Sequence, residues 1–306
     1  MMFKPWLMSL FASLTLASTG ASAAPAAGPD ALKLASVNAA VAYAGEDKLL
    51  YGKHATRSVP IASLTKLMMA LVVLDSGEPL KEWLEVFPRH KTAANNAYSR
   101  IRRGSELRRR DMLRIALMSS ENLAAYTLAR HHPGGYDKFV SDMNKMAEKL
   151  AMTNSRFVDP TGLSANNHAS AADLVKLVNA AAKHPEIGDY STTEYFRAHF
   201  RQPRYSLPYG NTNALVHRKS WGVGLSKTGY LTEAGRCLVM VSQMNGKAVT
   251  TVLLDSFGTR SPMGDAGRVK RWLATGDSGR VAGAAKAYEQ RKNAQYAGHS
   301  SVAESH

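Results

Sequence analysis

The sequence predicts an α/β fold of the α+β type, in which helices flank an antiparallel sheet and an all-helical lobe lies beside it. Strand-like runs stand near both ends of the chain, whereas apolar residues in the middle third, about residues 105–185, recur with a spacing of about 3.6 residues. The segment "TKLMMALVVLD" has no polar side chain from Leu67 to Leu74, which is typical of a helix at the centre of a domain. Strands grouped apart from helices favour two packed lobes with a cleft between them.

The N-terminal segment is predicted to be removed from the mature protein. Lys4 precedes the apolar run "WLMSLFASLTLA", and the small residues Ala21–Ala23 fit the cleavage site of a secretory signal peptide. The chain is therefore divided into a signal peptide over residues 1–23, a linker over residues 24–33 and one domain over residues 34–275. Export to the periplasm follows from this prediction.

Within the domain, the elements are expected in a definite order. "LASVNAAVAY" and "LLYGKH", joined by "GEDK", are typical of a β-hairpin, and the buried helix begins at Ser63 and ends near Asp75. After the helical insert come the strands "VGLSKTG", "RCLVMVSQM" and "AVTTVLLDSF", and Asn245 and Gly246 join the last two in a favoured hairpin turn. The helix "PMGDAGRVKRWLATG" ends the domain, and residues 276–306 are predicted to form a frayed helix or a flexible tail.

Charge and cysteine content restrict the classes of partner. The formal net charge of +15 favours polyanions. Export argues against nucleic acid and for an acidic wall polymer such as peptidoglycan, or for peripheral association with a membrane face or with wall enzymes. The basic stretch Ser99–Asp111 is interpreted either as a solvated rim or as a surface that steers the substrate. Cys237, the single cysteine, stands in an apolar run and is expected to be buried and structural.

Three short motifs carry the chemistry. Ser63 and Lys66 are three residues apart at the start of the buried helix, which places a hydroxyl and an amine on one face. Ser120 and Asn122 belong to "LMSSENLAAY", where poor helix formers stand between two apolar helical runs. The third motif is the Lys-Thr-Gly that begins at Lys227, at the end of an apolar strand. Each motif alone is weak, but the order S-x-x-K, S-x-N, K-T-G behind a signal peptide is a strong signal.

The three motifs together resemble those of the active-site serine penicillin-binding proteins and serine β-lactamases. In detail the chain is similar to the low-molecular-mass D-alanyl-D-alanine endopeptidases, because the likeness extends to "PIASLTKLM", "HHPGGY", "RFVDPTGLSANNHASAADLVKL", "LPYGNTNALV" and "KTGYLTEAGRCLVM". It covers about residues 34–275. The resemblance implies the transpeptidase-like fold of these proteins and places "DPTGL", which begins at Asp159, at the edge of the cleft. A plain Pro-Thr-Gly turn is the alternative interpretation of that segment.

The resemblance also implies catalytic roles. Ser63 is the expected nucleophile, and Lys66 is the expected base, which requires its amine to be neutral part of the time. Burial and the charge of Lys227 both favour that neutral form. Ser120 is expected to relay a proton between Lys66 and the leaving amine, and Asn122 to orient Lys66 and to hold the substrate amide.

The strand motif is expected to bind the substrate. Lys227 would attract the terminal carboxylate of the substrate, with Thr228 beside it. Gly229 would allow an extended peptide to approach the strand edge closely, where main-chain pairing aligns it. By resemblance, the backbone N–H groups of Ser63 and Tyr230 form the oxyanion hole.

These expectations describe an exported serine DD-endopeptidase that cleaves D-alanyl cross-links in peptidoglycan and is inhibited covalently by β-lactams. A D-alanyl-D-alanine carboxypeptidase would use the same site, and a β-lactamase or a non-catalytic, basic wall-binding protein are the remaining alternatives. The sequence has no nucleotide-binding motif and no zinc-ligand spacing, so no cofactor or metal is expected.

Overall fold

The computed structural model describes residue 28, residues 31–89 and residues 98–303. The predicted signal peptide and most of the predicted linker lie outside the described residues. Among the helices that are described, none is long and apolar enough to cross a membrane.

A five-stranded antiparallel sheet forms the centre of the fold, as predicted. Its strands lie in the order β2-β1-β11-β10-β9. Their bounds are Ser36–Tyr43 for β1, Leu49–Lys53 for β2, Val223–Leu231 for β9, Gly235–Met244 for β10 and Lys247–Ser256 for β11. Asn245 and Gly246 both have positive φ, 49° and 76°, as the predicted hairpin turn between β10 and β11 requires. Because β9 pairs only with β10 in this sheet, its other side is a sheet edge.

The two faces of the sheet are covered by different helices. Side chains alternate along a strand, so Ala39 and Val41 of β1 pack with α7 (Ser261–Thr275), whereas Ala40 and Ala42 belong to the core shared with the helical lobe. The alternation divides β9 and β10 in the same way. One face of each strand looks toward α7 and the other toward the helical lobe.

The helical lobe surrounds α1 (Thr65–Asp75), which is buried from Thr65 to Val73, as its apolar sequence predicted. The other helices of the lobe are Arg109–Met118 (α2), Asn122–Arg130 (α3), Gly135–Lys149 (α4), Ala171–Ala181 (α5) and Pro185–Ser191 (α6). The lobe is not purely helical, because it also carries two short antiparallel pairs. These are Val59–Pro60 (β3) with His168–Ala169 (β6), and Trp83–Glu85 (β4) with Glu106–Arg108 (β5).

The C-terminal segment is helical, as the first of its two predicted forms has it, and the helix is anchored to the domain. Residues Gly283–Ala303 form a long helix, α8. The hydroxyl groups of Tyr288 and Tyr296 donate hydrogen bonds to the buried carboxylate of Asp255, at 2.5 and 2.7 Å, and the amine of Lys292 lies 3.1 Å from the same carboxylate. A buried carboxylate needs such partners, and residues of α8 supply them. Composition alone gave no sign of this anchor.

The basic stretch Ser99–Asp111 lies against a hairpin formed by Tyr195–Phe200 (β7) and Tyr205–Gly210 (β8). The guanidinium of Arg102 lies 4.8 Å from the ring centre of Tyr205, and that of Arg100 lies 5.3 Å from the ring centre of Tyr209. Aromatic residues that are distant in sequence therefore hold these cations in place.

Candidate active site

Ser63 lies in a single 3-10 turn, Ala62–Leu64, between β3 and α1. Ala62 has a φ of 48°, which is a strained value for a residue with a side chain. Few other non-glycine residues of the described chain have a positive φ. Two glycines hold the turn. A Cβ on Gly162 would lie 2.0 Å from the carbonyl oxygen of Ala62, and a Cβ on Gly229 would lie 3.2 Å from the backbone nitrogen of Ser63. The position of the hydroxyl is thus fixed by backbone packing.

Lys66 lies on the first turn of α1, directly below Ser63, and its side chain is fully buried. Its amine donates hydrogen bonds to the Ser63 hydroxyl at 3.0 Å, to the Oδ1 of Asn122 at 2.7 Å and to the carbonyl oxygen of Thr161 at 2.5 Å. The predicted contact between Ser63 and Lys66 is therefore present in the structure. All three acceptors hold the amine beside the Ser63 hydroxyl.

Burial lowers the pKa of Lys66 from its ordinary value to about 7. The carboxylates of Asp159 and Glu121 oppose this shift, and the guanidinium of Arg89 adds to it. Lys66 and Lys227 repel each other, as the sequence predicted, and Arg89 is a further positive charge that lowers the pKa of Lys66. At pH 7, an amine with this pKa is neutral and able to accept a proton in about half of the molecules.

Ser120 and Asn122 lie where α2 ends and α3 begins, as the run of poor helix formers predicted. Ser120 has a φ of 60°, and the Glu121 carboxylate accepts a hydrogen bond from the backbone N–H of Leu123, which caps α3. This sharp turn lets Asn122 reach Lys66 and places Ser120 in the wall of the cavity that contains Ser63.

The Lys-Thr-Gly motif lies on β9, the edge strand. Side chains alternate along it, so Lys227 and Gly229 face the helical lobe while Thr228 and Tyr230 face the side of α7. Gly229 packs closely on the turn that carries Ser63, because a Cβ there would lie 3.0 Å from the carbonyl oxygen of Ile61. This packing is a second reason for a small residue, beside the predicted approach of a peptide.

Lys227 is buried, and its amine donates a hydrogen bond to the Thr228 carbonyl at 2.9 Å. Burial, and then repulsion by Lys66, hold the pKa of Lys227 well below its ordinary value. A carboxylate that bound beside Lys227 would raise this pKa again, because an opposite charge favours the protonated amine. The hydroxyl of Thr228 lies 2.7 Å from the hydroxyl of Thr212, and this hydrogen bond holds the Thr228 side chain in place.

The segment that begins at Asp159 forms the wall opposite β9. The Asp159 carboxylate accepts hydrogen bonds from the backbone N–H groups of Thr161, Gly162 and Ser164 and from the amide of Asn167, all within 2.9 Å. This folds the loop so that the Thr161 carbonyl reaches Lys66 and Gly162 packs on Ala62. The loop therefore edges the site, which is the first of the two interpretations drawn from the sequence.

A cavity of about 380 Å³ opens above these groups. It extends from Ser63 along β9 to the N-terminal end of α7. Its lining includes Ser63, Ser120, Asn122, Thr228, Gly229 and Tyr230. Lys66 and Lys227 lie buried beside it, so the structure brings the eight predicted site residues to one place.

Sequence reasoning missed three contributors to this site. Thr161 acts through its backbone carbonyl, which no side-chain pattern reveals. Arg89 lies far from the motifs in sequence and acts on Lys66 by charge alone. Thr212 lies in "LPYGNTNALV", a segment that the sequence analysis noted without assigning a role, and its hydroxyl contact with Thr228 could not be foreseen from spacing.

Comparisons with known proteins agree with this geometry. A family model described as D-alanyl-D-alanine carboxypeptidase matches residues 24–258. The chain is 45% identical over 289 residues to a D-alanyl-D-alanine endopeptidase of Pseudomonas aeruginosa, a match that covers 94% of this chain and 93% of that relative. It is 45% identical over 287 residues to a D-alanyl-D-alanine endopeptidase of Escherichia coli, covering 94% and 91% of the two chains.

Solved structures show the same fold. A DD-transpeptidase from a Streptomyces strain superimposes with a TM-score of 0.72 at 24% identity and covers 79% of this chain and 98% of that chain. A penicillin-binding protein from Listeria monocytogenes in its ampicillin-bound form superimposes with a TM-score of 0.68 at 26% identity, covering 80% and 99%.

Proposed function

The chain belongs to the D-alanyl-D-alanine carboxypeptidase family of serine peptidases, and from this membership we propose that it is a DD-endopeptidase that hydrolyses D-alanyl cross-links in peptidoglycan. One observation supports the proposal at the level of residues. The Ser63 hydroxyl lies 3.0 Å from the buried amine of Lys66, at the floor of a cavity beside an edge strand. Two relatives that are 45% identical to this chain are named endopeptidases, and this favours cleavage of cross-links over removal of a terminal D-alanine.

The first half of the reaction forms an acyl-enzyme. The neutral Lys66 amine takes the proton of Ser63 as the hydroxyl oxygen attacks the D-alanyl carbonyl carbon. The carbonyl oxygen becomes negative and accepts hydrogen bonds from the backbone N–H groups of Ser63 and Tyr230. Ser120 passes the proton from Lys66 to the nitrogen of the scissile bond, which leaves as an amine. The acyl group remains as an ester on Ser63.

In the second half, water attacks the ester and the carboxylic acid is released. The proton of the water returns to the Ser63 hydroxyl through Lys66, which restores the free enzyme. Asn122 keeps the Lys66 amine in place during both halves through the 2.7 Å hydrogen bond. Lys227 and Thr228 hold the carboxylate next to the scissile bond, so the peptide lies along the edge of β9.

Location and partners follow from the same proposal. We place the enzyme in the periplasm, where peptidoglycan lies and where a signal peptide over residues 1–23 would deliver it. β-Lactams, which present a strained amide to the same serine, are proposed as covalent inhibitors. A relative with ampicillin bound supports this. The net charge of +15 concentrates the enzyme on an anionic polymer.

Digestion of purified, cross-linked sacculi tests the proposed reaction. We expect dimeric muropeptides to be converted to monomers by the natural chain and not by Ser63→Ala, while a soluble pentapeptide loses little D-alanine. Release of D-alanine with the dimers left intact would make the enzyme a carboxypeptidase instead. Loss of neither bond, with Ser63 still labelled by penicillin, would exclude both hydrolytic reactions.

A further inference from the structure

The cavity continues beyond the groups that take part in the reaction. Past Tyr230 it reaches the side of the sheet that faces α7, where Arg236, Leu238 and Met263 line it. The reaction proposed above uses no side chain in this part. A peptide that runs along β9 past Tyr230 would enter it.

The direction of the bound peptide decides which part of the substrate lies there. Lys227 and Thr228 precede Gly229 on the strand, and Tyr230 and Leu231 follow it. If the first pair holds the carboxylate on the leaving side, the acyl part of the substrate runs past Tyr230 in the other direction. Side chains of an extended peptide alternate between the two faces of a sheet, so some of those in the acyl part point toward α7.

Arg236 is placed to meet such a side chain. It lies directly opposite Tyr230 in the register of β9 and β10, and its guanidinium is centred 3.8 Å from the ring centre of Tyr230. The ring belongs to the edge strand, so stacking carries the cation toward the bound peptide. Within the described part of the chain, no carboxylate forms an ion pair with Arg236, which is only half-buried. A cation held in a cavity wall without an anion is available to a ligand.

We propose that Tyr230, Arg236, Leu238 and Met263 form a subsite, here called the Arg236 subsite, for an aliphatic side chain of the acyl donor that ends in a carboxylate. Leu238 and Met263 supply apolar contacts for the stem of that side chain. Arg236 supplies a planar pair of donors for its carboxylate. The inference rests on the proposed function, because the substrate must lie along β9 in the stated direction.

Two penicillins that differ in one group test the subsite directly. Their acyl side chains have the same length. One side chain ends in a carboxylate and the other ends in a carboxamide. We expect the natural chain to be acylated at Ser63 about tenfold faster by the carboxylate compound, as a charge-assisted contact implies. In Arg236→Met the ratio of the two rates should fall to about one, and in Arg236→Lys it should lie between these values.

The ratio of the two acylation rates distinguishes loss of carboxylate recognition from general damage to the active site. A variant that merely disturbed Tyr230 would slow both compounds alike and keep the tenfold ratio, which would overturn the inference. Arg280→Met removes the same charge from an exposed site and should keep the ratio. Equal rates in the natural chain would also overturn the inference while leaving the proposed function intact. Failure of both compounds to acylate Ser63 would overturn the acyl-enzyme chemistry and the subsite together.

Discussion

The carbonyl oxygen of Ala62 lies 2.0 Å from the point where a Cβ on Gly162 would stand. Gly162 also has a φ of 77°, which residues with side chains rarely adopt. The loop that begins at Asp159 and the turn that carries Ser63 are therefore in backbone contact. Anything that separates them moves the nucleophile.

Substitution of Gly162 should show this dependence. We expect Gly162→Ala to lower the rate of penicillin acylation at least tenfold, because a displacement of about 1 Å at the nucleophile is costly. Gly267→Ala is the matched control, since a Cβ at that helical position meets no atom within 4 Å. The control should acylate normally and unfold at an equal or slightly higher temperature. Normal acylation by Gly162→Ala would show that the loop contact does not position Ser63.

The pKa of Lys66 predicts the pH dependence of acylation. In the proposed mechanism the reactive form is the neutral amine, and with a pKa of about 7 half of the molecules carry it at that pH. The rate of penicillin acylation should therefore rise with pH, pass its midpoint near 7 and level off above it. Stopped-flow measurement of the rate on the intact enzyme checks this, and a midpoint near the ordinary lysine value would contradict the proposed role of Lys66.

The variant Asn122→Asp provides a second test of the Lys66 pKa. The substitution places a carboxylate at the oxygen that accepts the 2.7 Å hydrogen bond from Lys66. An opposite charge at this distance favours the ammonium form, so the midpoint of the pH profile should move up by about 1 to 3 pH units. Asn166→Asp makes the same change at an exposed position and should leave the midpoint in place. An unshifted midpoint in Asn122→Asp would mean that the profile reports another group.

The penicilloyl ester on Ser63 should persist. Rapid deacylation of the β-lactamase kind needs a carboxylate that activates water, and the sequence has no Glu between Glu148 and Glu186. Asp159 is the acidic residue of that stretch nearest the site, but both of its carboxylate oxygens accept hydrogen bonds from its own loop. Intact-mass measurement after removal of free penicillin should show the adduct for many minutes. Rapid turnover of penicillin would make the protein a β-lactamase.

The anchor of α8 can be measured through Tyr296. Its hydroxyl donates a hydrogen bond to the buried carboxylate of Asp255 at 2.7 Å. We expect Tyr296→Phe to lower the free energy of unfolding by about 1 to 3 kcal/mol, since a buried charged acceptor loses a donor. Tyr195→Phe is the control, because that side chain is 75% exposed. Equal unfolding curves for the two variants would show that the Tyr296 hydrogen bond does not anchor α8.

Much of this architecture could be predicted because it depends on local patterns. The apolar run after Lys66 identified the buried helix, and Asn245 with Gly246 identified a hairpin turn. The S-x-x-K spacing gave the contact between Ser63 and Lys66. These features need only the geometry of one helix or one turn.

The remainder depends on contacts between distant parts of the chain. The tail is predicted to be frayed or flexible because it is rich in Ala, Gln and Ser, and its contacts with Asp255, Lys53 and Arg57 explain the helix. Likewise, Arg89 affects Lys66 through space, and the Thr161 carbonyl approaches Lys66 through a loop that Asp159 folds. Sequence periodicity carries no information about such contacts.

An uncovered sheet edge has a further consequence for the protein in solution. Exposed edges invite pairing with other sheets and hence aggregation, and proteins shorten them or place charges in them. Here the 3-10 turn packs on the middle of β9 and α6 packs near its beginning, so only the stretch beside the cavity remains open. Lys227 points inward from this strand and is buried. A peptide bound in the cavity would cover this open stretch, so an occupied cavity should reduce self-association.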